Sequence, residues 1–230
     1  MKFISAIPAR SGSKGIKNKN ILKINDKPLI EYTFVEAKKS CIKSNYVLTD
    51  SKEIQKLTKK FSLNYDYNRP KSLSGDKVSL TDTLYDFYKW TIKKNIFFDY
   101  IVVLQPTSPL RKAKDINESI RILKKKKSLS LFSISNSLEH PYETIKMVKN
   151  NFRFVLKKAK NFYRRQDFDF NSYFINGAIY IIHRNLIQKK KIFSLNKHSF
   201  YIMPKDRSLE INDLEEAKII EAIIKNKVIK

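Results

Sequence analysis

A polar stretch near the N-terminus contains the residue types that bind phosphate groups. Residues 9–20 include Arg10 and Lys14, and they hold two of the four glycines in the chain, Gly12 and Gly15. Glycine lets a backbone approach a ligand closely, while cationic side chains and backbone N–H groups neutralise phosphate oxygens. The stretch matches neither the P-loop nor the dinucleotide-binding fingerprint. We predict a triphosphate-binding loop here; the alternative is a basic strand-to-helix connection without a ligand.

The other two glycines lie in segments that could complete such a site. Residues 69–76, Arg-Pro-Lys-Ser-Leu-Ser-Gly-Asp, contain the third glycine, and the pair Asn176-Gly177 contains the fourth. Residues 105–111, Gln-Pro-Thr-Ser-Pro-Leu-Arg, follow a strongly apolar run. The two prolines of that segment exclude helix and favour an extended loop. All three segments are therefore predicted to be loops or strand ends.

Alternating strands and helices would position these segments. Short apolar runs alternate with stretches of helical spacing, which predicts an open, mostly parallel α/β sheet. The run at residues 99–104 is typical of a central parallel strand, because it is apolar throughout. We predict strands over residues 3–7, 45–48, 64–67, 99–104 and 130–135, and helices over residues 28–40, 52–61, 81–94 and 116–123.

The alternation stops at Asn136. Residues 145–148 and 152–156 flank Asn150-Asn151 and predict a β-hairpin. We interpret residues 136–172 as an arm inserted into a single domain that spans residues 1–230. Beyond the arm, the pattern predicts strands over residues 173–182 and 200–203 and a terminal helix over residues 215–229.

The bulk composition limits the partners. The net charge is +25, but only 9 of the 47 basic residues are arginine, whereas specific phosphate and base recognition favours arginine. We therefore expect a solvated lysine surface and no nucleic-acid partner, and we expect no membrane partner because no apolar stretch is long enough to span a bilayer. The single cysteine excludes an intrachain disulfide. No apolar stretch approaches the roughly 20 residues of a membrane span, and we expect a cytoplasmic protein.

These motifs together resemble the acylneuraminate cytidylyltransferase family, the CMP-sialic acid synthetases and their relatives. The resemblance covers essentially the whole chain and rests most strongly on residues 7–20 and 105–111. It implies a Rossmann-like sheet of the nucleotide-diphospho-sugar transferase type, with the arm used for homodimerisation. It also implies that CTP and an acidic nine-carbon sugar give a CMP-sugar and pyrophosphate for surface glycans. Mg²⁺ or Mn²⁺ would be the cofactor.

The resemblance also implies roles for individual residues. The catalytic pair is Arg10 and Lys14, which would neutralise the leaving pyrophosphate. Arg69 could donate to O2 and N3 of cytosine. An oxygen of Leu73 or Ser74 could accept from the 4-amino group of the cytosine. The nucleotide-binding set is Arg10, Ser13, Lys14, Asn20, Arg69 and Ser74, and the sugar-binding set is Gln105, Arg165, Gln166 and Asn176. For Gln166 and Asn176, local hydrogen bonding is an alternative.

Two positions depart from the family pattern. Where relatives carry Asp-x-Asp metal ligands, this chain has Glu210 and Asn212, with one formal charge fewer. Asp213 could substitute as a ligand or could only cap the last helix. Sialic-acid enzymes can carry lysine where this chain has Glu143, so legionaminic and pseudaminic acids remain open as substrates.

Three other functions remain open. The first is a sugar nucleotidyltransferase that uses another base or a sugar-1-phosphate. The second is a basic nucleic-acid-binding protein, and the third is an inactive relative, which Asn212 would explain. The three histidines have no metal-binding spacing, and we predict structural roles for them.

Overall fold

The computed structural model describes residues 1–12, 15–156, 164, 166, 168–193 and 197–226. Its strands are β1 (Phe3–Pro8), β2 (Lys23–Ile24), β3 (Lys27–Pro28), β4 (Ser44–Leu48), β5 (Tyr100–Leu104), β6 (Ser130–Asn136), β7 (Ile145–Val148), β8 (Asn151–Phe154), β9 (Tyr173–His183) and β10 (His198–Ile202). Its helices are α1 (Leu29–Lys39), α2 (Lys52–Lys60), α3 (Leu80–Lys93), α4 (Ala113–Lys126), α5 (Arg184–Gln188) and α6 (Leu214–Lys225).

Six strands form the central sheet in the order β10-β6-β9-β5-β1-β4. Five of them run in the same direction, and β9 alone runs antiparallel to both of its neighbours, β5 and β6. The prediction of a mostly parallel α/β sheet is therefore confirmed. We call the edge where the five parallel strands end and β9 begins the carboxyl edge, and the opposite edge the amino edge.

Both faces of the sheet are covered, which explains the unbroken apolar run of β5. Its side chains alternate between two cores: Val102 and Leu104 pack on the α1 and α4 side, and Ile101 and Val103 pack on the α3 side. All four are completely buried. A strand buried on both faces gains from apolar residues at every position, whereas a half-exposed strand would alternate.

Side-chain caps fix the helix starts that lead away from the sheet. Ser51 accepts a hydrogen bond from the backbone N–H of Ile54 at the start of α2, and Ser79 does the same for Asp82 in α3. Asp213 and Glu216 form a reciprocal capping box at α6. The capping alternative for Asp213 is thus observed.

Some predicted elements differ from the structure. Residues 64–67 are not a strand, because only two isolated bridges, from Asn64 and Asn68, join this segment to β4 and Thr49. The short helix α5 was not predicted, since it has only five residues. The predicted hairpin in the arm is confirmed by the antiparallel pair β7-β8. The predicted end of the last helix, residues 227–229, lies outside the described residues. Within the part of the chain that the structure describes, no helix is long and apolar enough to span a membrane.

Candidate active site

A cleft of about 450 Å³ opens at the carboxyl edge of the sheet. The loops that follow β1 and β5 form two of its walls, and the segment before α6 forms a third. Among the described residues, its charged lining consists of three cations and a single carboxylate, Glu210. The lining residues are Pro8, Arg10, Gly15, Lys19, Asn20, Arg69, Val78, Leu80, Thr83, Gln105, Pro106, Thr107, Glu210 and Asn212.

Arg10 lies at the end of β1 and faces the loop of residues 69–76. Its Nη1 atom lies 2.6 Å from Asp76 Oδ1 and donates to the Ser74 carbonyl oxygen at 3.2 Å. Both side chains of the ion pair are partly exposed, so the pair contributes little to stability. An incoming phosphate could therefore replace the Asp76 carboxylate on Arg10. The other two predicted residues of this loop, Ser13 and Lys14, lie outside the described residues.

Asp50, at the end of β4, anchors the start of the same loop. Its carboxylate accepts hydrogen bonds from the backbone N–H of Ser11 at 2.8 Å and from the Ser11 hydroxyl at 2.7 Å. Burial alone would raise the pKa of Asp50, but these hydrogen bonds lower it overall. Asp50 is therefore ionised at neutral pH and fixes the path of the chain into the phosphate-binding stretch.

Arg69 lines the cleft and holds the same loop as Arg10, one residue before the carbonyl group that Arg10 contacts. Its side chain is buried, with Nε and Nη2 donating to the Leu73 carbonyl oxygen at 2.9 and 2.6 Å, and Nη2 also donating to Thr83 Oγ1. Burial lowers the pKa of Arg69, with Asp50 opposing the effect. Arg69 thus shapes the loop of residues 70–74, and its Nη1 atom is left for a ligand.

Lys19 and Asn20 connect the first loop to its surroundings. Asn20 donates from Nδ2 to the Arg10 carbonyl oxygen at 3.0 Å, which holds the loop. Lys19 donates from Nζ to the carbonyl oxygens of Ile211 and Asn212, at 3.0 and 3.2 Å. Burial lowers the pKa of Lys19, while Glu216 and Glu210 oppose that shift. Lys19 therefore joins the phosphate loop to the third wall of the cleft.

Backbone hydrogen bonds hold the segment of residues 207–213 immediately after Glu210. The N–H of Ile211 donates to the Thr107 carbonyl oxygen at 2.9 Å, and the N–H of Asn212 donates to Glu216. A side chain on Gly15 would lie 2.7 Å from the Asn212 carbonyl oxygen, so only glycine allows this approach. The side chains of Glu210 and Asn212 are left to face the cleft.

Among the residues that the structure describes, Glu210 has one weak hydrogen-bond partner, the Ser108 hydroxyl at 3.5 Å. Burial raises the pKa of Glu210 to about 7; Ser108 counteracts this, and Glu216 adds to it. Gly177, at a φ of 67°, packs against this carboxylate so closely that any Cβ atom there would clash with it. A desolvated carboxylate without a strong protein partner is a suitable ligand for a cation.

The donor set fits Mg²⁺ or Mn²⁺ only when phosphate oxygens complete it. Glu210 and Asn212 could supply two oxygen ligands, and within the described residues no cluster of three His, Cys, Asp or Glu side chains could hold a metal ion alone. Magnesium commonly takes one or two protein oxygens and completes its shell with substrate phosphates and water. The pair thus suits an ion that arrives with a nucleotide.

The predicted sugar-binding residues are not all brought together. Gln105 lines the cleft, and its side chain hydrogen-bonds to Tyr180. Asn176 is buried, and its Oδ1 atom accepts from the Ala178 N–H at 3.3 Å, which is the local backbone contact of the alternative interpretation. Its amide also pairs with the side chains of Ser133 at 2.6 Å and Ser208 at 3.0 Å, which are distant in sequence. Gln166 lines a separate pocket at the base of the arm. Arg165 lies outside the described residues.

A buried polar network holds two of the segments that line the cleft. Asp115 in α4 accepts hydrogen bonds from Arg207 Nη2 at 2.7 Å, from Arg207 Nε at 3.1 Å and from the Tyr201 hydroxyl at 2.7 Å. Arg111 is fully buried and donates to the carbonyl oxygens of Gln105 and Ala178 at 3.0 and 2.8 Å. The network ties the loop after β5 and the segment before α6 to the sheet.

Sequence reasoning missed several of these roles. Three residues contact partners that are distant in sequence, so no local pattern reveals their roles. Asp50 binds Ser11, 39 residues away, and Asp76 pairs with Arg10, 66 residues away. Thr83 accepts from Arg69, 14 residues away. The histidines are structural, as predicted: the ring nitrogens of His140 and His183 accept hydrogen bonds from nearby backbone N–H groups. His198 is hydrogen-bonded to Ser130.

Comparison with known proteins adds to this geometry. The family model described as cytidylyltransferase matches residues 4–226. The post-translational flagellin modification protein B of Campylobacter coli is 30% identical over 98% of this chain and 96% of its own length. The CMP-N,N'-diacetyllegionaminic acid synthase of Legionella pneumophila is 31% identical over 97% of this chain and 93% of its own length.

Two further matches differ in extent. The N-acylneuraminate cytidylyltransferase of Streptococcus agalactiae serotype V is 32% identical over 94% of this chain, which spans only 52% of that relative's length. The solved structure of a CMP:2-keto-3-deoxy-manno-octonic acid synthetase complexed with CTP has a TM-score of 0.73 and 16% identity, and the match covers 99% of this chain and 100% of that one. At 16% identity, the similarity to the solved structure concerns the fold alone.

Proposed function

Because the chain belongs to the cytidylyltransferase family, we propose that it transfers the cytidylyl group of CTP to an acidic nonulosonate. The anomeric hydroxyl of a sugar of the N-acylneuraminate, legionaminate or pseudaminate type attacks the α-phosphorus, and pyrophosphate leaves. The product is a CMP-sugar for surface glycans. The supporting observation is the charge arrangement of the cleft, where three cations surround a polyanion site and one carboxylate faces it.

The described residues divide this task by position. In this proposal Arg10 and Lys19, which line the cleft, neutralise the phosphates, and Arg69 binds the base. Gln105, also in the lining, would contact the sugar. In-line transfer depends on positioning and charge more than on covalent chemistry. A site built mainly from loops that are held by hydrogen bonds meets this requirement.

Glu210 and Asn212 would hold Mg²⁺ or Mn²⁺ in this proposal. A bound divalent cation would offset phosphate charge and orient the reacting groups. The protein's own contribution is to fix these two side chains through Lys19, Thr107 and Glu216 before substrate arrives. Pre-organisation of this kind removes a reorganisation cost from the reaction.

A matrix of substrates tests the proposed function. Pyrophosphate release would be measured for each of four nucleoside triphosphates against three nonulosonates and a hexosamine-1-phosphate, with Mg²⁺ present. We expect release with CTP and at least one nonulosonate. Turnover only with the sugar-1-phosphate, or only with another nucleotide, would replace this function by that of a different sugar nucleotidyltransferase.

Arg69→Ala should raise the KM for CTP by about tenfold or more, because it removes charged hydrogen bonds worth about 1.5–3 kcal/mol each. The substitution deletes the donors that shape residues 70–74 and the remaining donor that faces the cleft. Initial rates at varied CTP would measure the change. Arg121→Ala is the control, since Arg121 is exposed on α4 and its hydrogen bonds among the described residues are to Glu118. Unchanged CTP affinity in Arg69→Ala would contradict the assignment.

Asn212→Asp should lower the Mg²⁺ concentration needed for half-maximal rate by several-fold, since it restores a formal charge to the oxygen pair. Asn151→Asp, on the exposed hairpin, makes the same change in net charge away from the cleft and should leave the Mg²⁺ requirement unaltered. If only Asn212→Asp is active, the natural chain is an inactive relative. If both variants behave alike, Asn212 does not contact the ion.

We also propose a homodimer formed through the arm. The hairpin β7-β8 is exposed along its whole length, and Ile145, Met147, Phe152 and Phe154 are 46–70% exposed. Apolar side chains at this density favour a protein partner. Sedimentation equilibrium at micromolar concentration should give twice the mass of 27.1 kDa, and a monomer would exclude the arrangement.

A cytoplasmic location is part of the same proposal, because CTP is a cytoplasmic substrate. Fractionation of cells that express the chain should place it with the cytoplasmic material, and recovery in the secreted fraction would contradict this.

A further inference from the structure

The amino edge of the sheet, opposite the catalytic cleft, collects an unusual number of lysines. Four helices end there: α1, α2, α3 and α4. Each of α1, α3 and α4 runs antiparallel to the strand that follows it, and α2 runs antiparallel to the segment that is bridged to β4. The C-terminal ends of these helices, with the connections that follow them, are residues 38–43, 59–63, 93–99 and 124–129. They contain eleven lysines, no arginine and one acidic residue, Asp99. We call these four segments the basic edge.

All eleven lysines of the basic edge are exposed. The single acidic residue is already engaged, because Asp99 Oδ2 accepts from the Lys2 backbone N–H at 2.7 Å. Among the described residues, the one lysine of this edge with a carboxylate partner is Lys39, 3.3 Å from Glu36. Lysines in the last turn of a helix complement its dipole, but Lys43, Lys94 and Lys127 lie beyond the helix ends and need another explanation.

An exposed aromatic ring lies on the same edge. Phe97, between α3 and β5, is 68% exposed, and the Arg184 guanidinium lies 4.9 Å from its ring centroid. Lys93 and Lys94 precede it by only a few residues. An apolar ring surrounded by cations is the arrangement found where a protein surface enters the interface of a lipid bilayer.

We propose that the basic edge docks on a bilayer rich in anionic phospholipid, with Phe97 in the headgroup region and the catalytic cleft facing the solvent. Lysine is a hydrated point charge that responds to the negative potential of such a surface without specific geometry. A nucleic-acid surface would be expected to use arginine forks and several stacking rings, and the four segments contain no arginine. This proposal departs from our expectation of no membrane partner, which rested on the lack of a spanning segment.

Vesicle sedimentation tests the proposal on the full chain. Sucrose-loaded vesicles of phosphatidylcholine alone, or with 30% phosphatidylglycerol, would be mixed with the protein at low and at high salt. We expect binding to the anionic vesicles at least tenfold stronger than to the neutral ones at low salt, and release at 0.5 M salt. Equal binding to both kinds of vesicle, or none to either, would overturn the proposal.

Two triple variants separate position from net charge. Lys124, Lys125 and Lys126 would be changed to Gln on the basic edge, and Lys23, Lys114 and Lys218, all exposed elsewhere, would be changed to Gln as the control. We expect the first variant to lose at least fivefold in vesicle affinity, the control less than twofold, and both to keep full catalytic turnover. Equal losses would assign the binding to net charge alone. Displacement of the protein from vesicles by equimolar duplex RNA at physiological salt would identify nucleic acid as the partner instead.

Discussion

Glu210→Ala should reduce the rate of CMP-sugar formation on the order of 10²–10³-fold, with little change in the affinity for CTP measured without metal. Its carboxylate is the single acidic group among the described residues of the cleft lining, and the one hydrogen bond it makes to them is weak. Losing such a group removes charge stabilisation of the transition state, which is commonly worth this factor. Rates of pyrophosphate release over a range of Mg²⁺ concentrations would measure the effect.

The matched control is Glu215→Ala, which removes the same charge from the exposed first turn of α6. It should retain at least half of the wild-type rate. The thermal midpoint of Glu210→Ala should equal or exceed that of the wild type, because a poorly solvated carboxylate is removed. A Glu210→Ala enzyme within threefold of the wild-type rate at all Mg²⁺ concentrations would show that the oxygen pair does not take part in the reaction.

Asp115→Asn should have the largest effect on stability, lowering the free energy of unfolding by about 3–5 kcal/mol, the usual cost of breaking a buried ion pair. The variant leaves the Arg207 guanidinium buried beside a neutral amide, since both side chains are almost inaccessible. It also weakens the hold on the segment that carries Glu210. Chemical denaturation at neutral pH, followed by circular dichroism, would measure the loss.

The pH dependence of this effect has a definite sign. Burial alone would raise the pKa of Asp115, but hydrogen bonds from Arg207, Lys112 and Tyr201 lower it below the ordinary value of 3.8. A carboxyl group with a lowered pKa stabilises the folded state above its unfolded pKa and loses that contribution as the pH falls. The difference between wild type and Asp115→Asn should therefore be constant above about pH 5 and shrink in more acidic solution. Glu118→Gln, on the exposed side of the same helix, should show a change of the same sign but much smaller, because Arg121 lowers the pKa of Glu118 through an ion pair that is exposed to solvent.

The fold was largely predictable because its elements carry strong local signals. The strand β5 is apolar at every position and α3 has an apolar face, so each could be recognised alone. The direction of β9 could not be predicted, because a strand buried on both faces has the same composition whether it runs parallel or antiparallel. Residues 64–67 looked like a strand for the same local reason, yet their position at the margin of the sheet gives them only isolated bridges.

The site was predictable where residue type alone limits the chemistry. Arg10, Arg69, Gln105, Glu210 and Asn212 line one cleft although they are spread over 203 positions of the sequence. Roles that depend on a partner were not predictable. Asn176 has the same side chain whether it meets a sugar or pairs with Ser133 and Ser208, and only the packing separates these cases.

The antiparallel strand β9 has a consequence for how the enzyme can be altered. Because β6 leaves the sheet and β9 enters it at the same edge, the arm between them begins and ends at neighbouring points. The N–H of Ser137 donates to the Ser172 carbonyl oxygen at 3.0 Å and closes this neck. The arm should therefore be replaceable as a unit. Grafting the corresponding segment of a relative between residues 137 and 172 should leave the nucleotide-binding loops of the cleft intact. Chimaeras of this kind offer a route to sorting sugar preference from nucleotide preference.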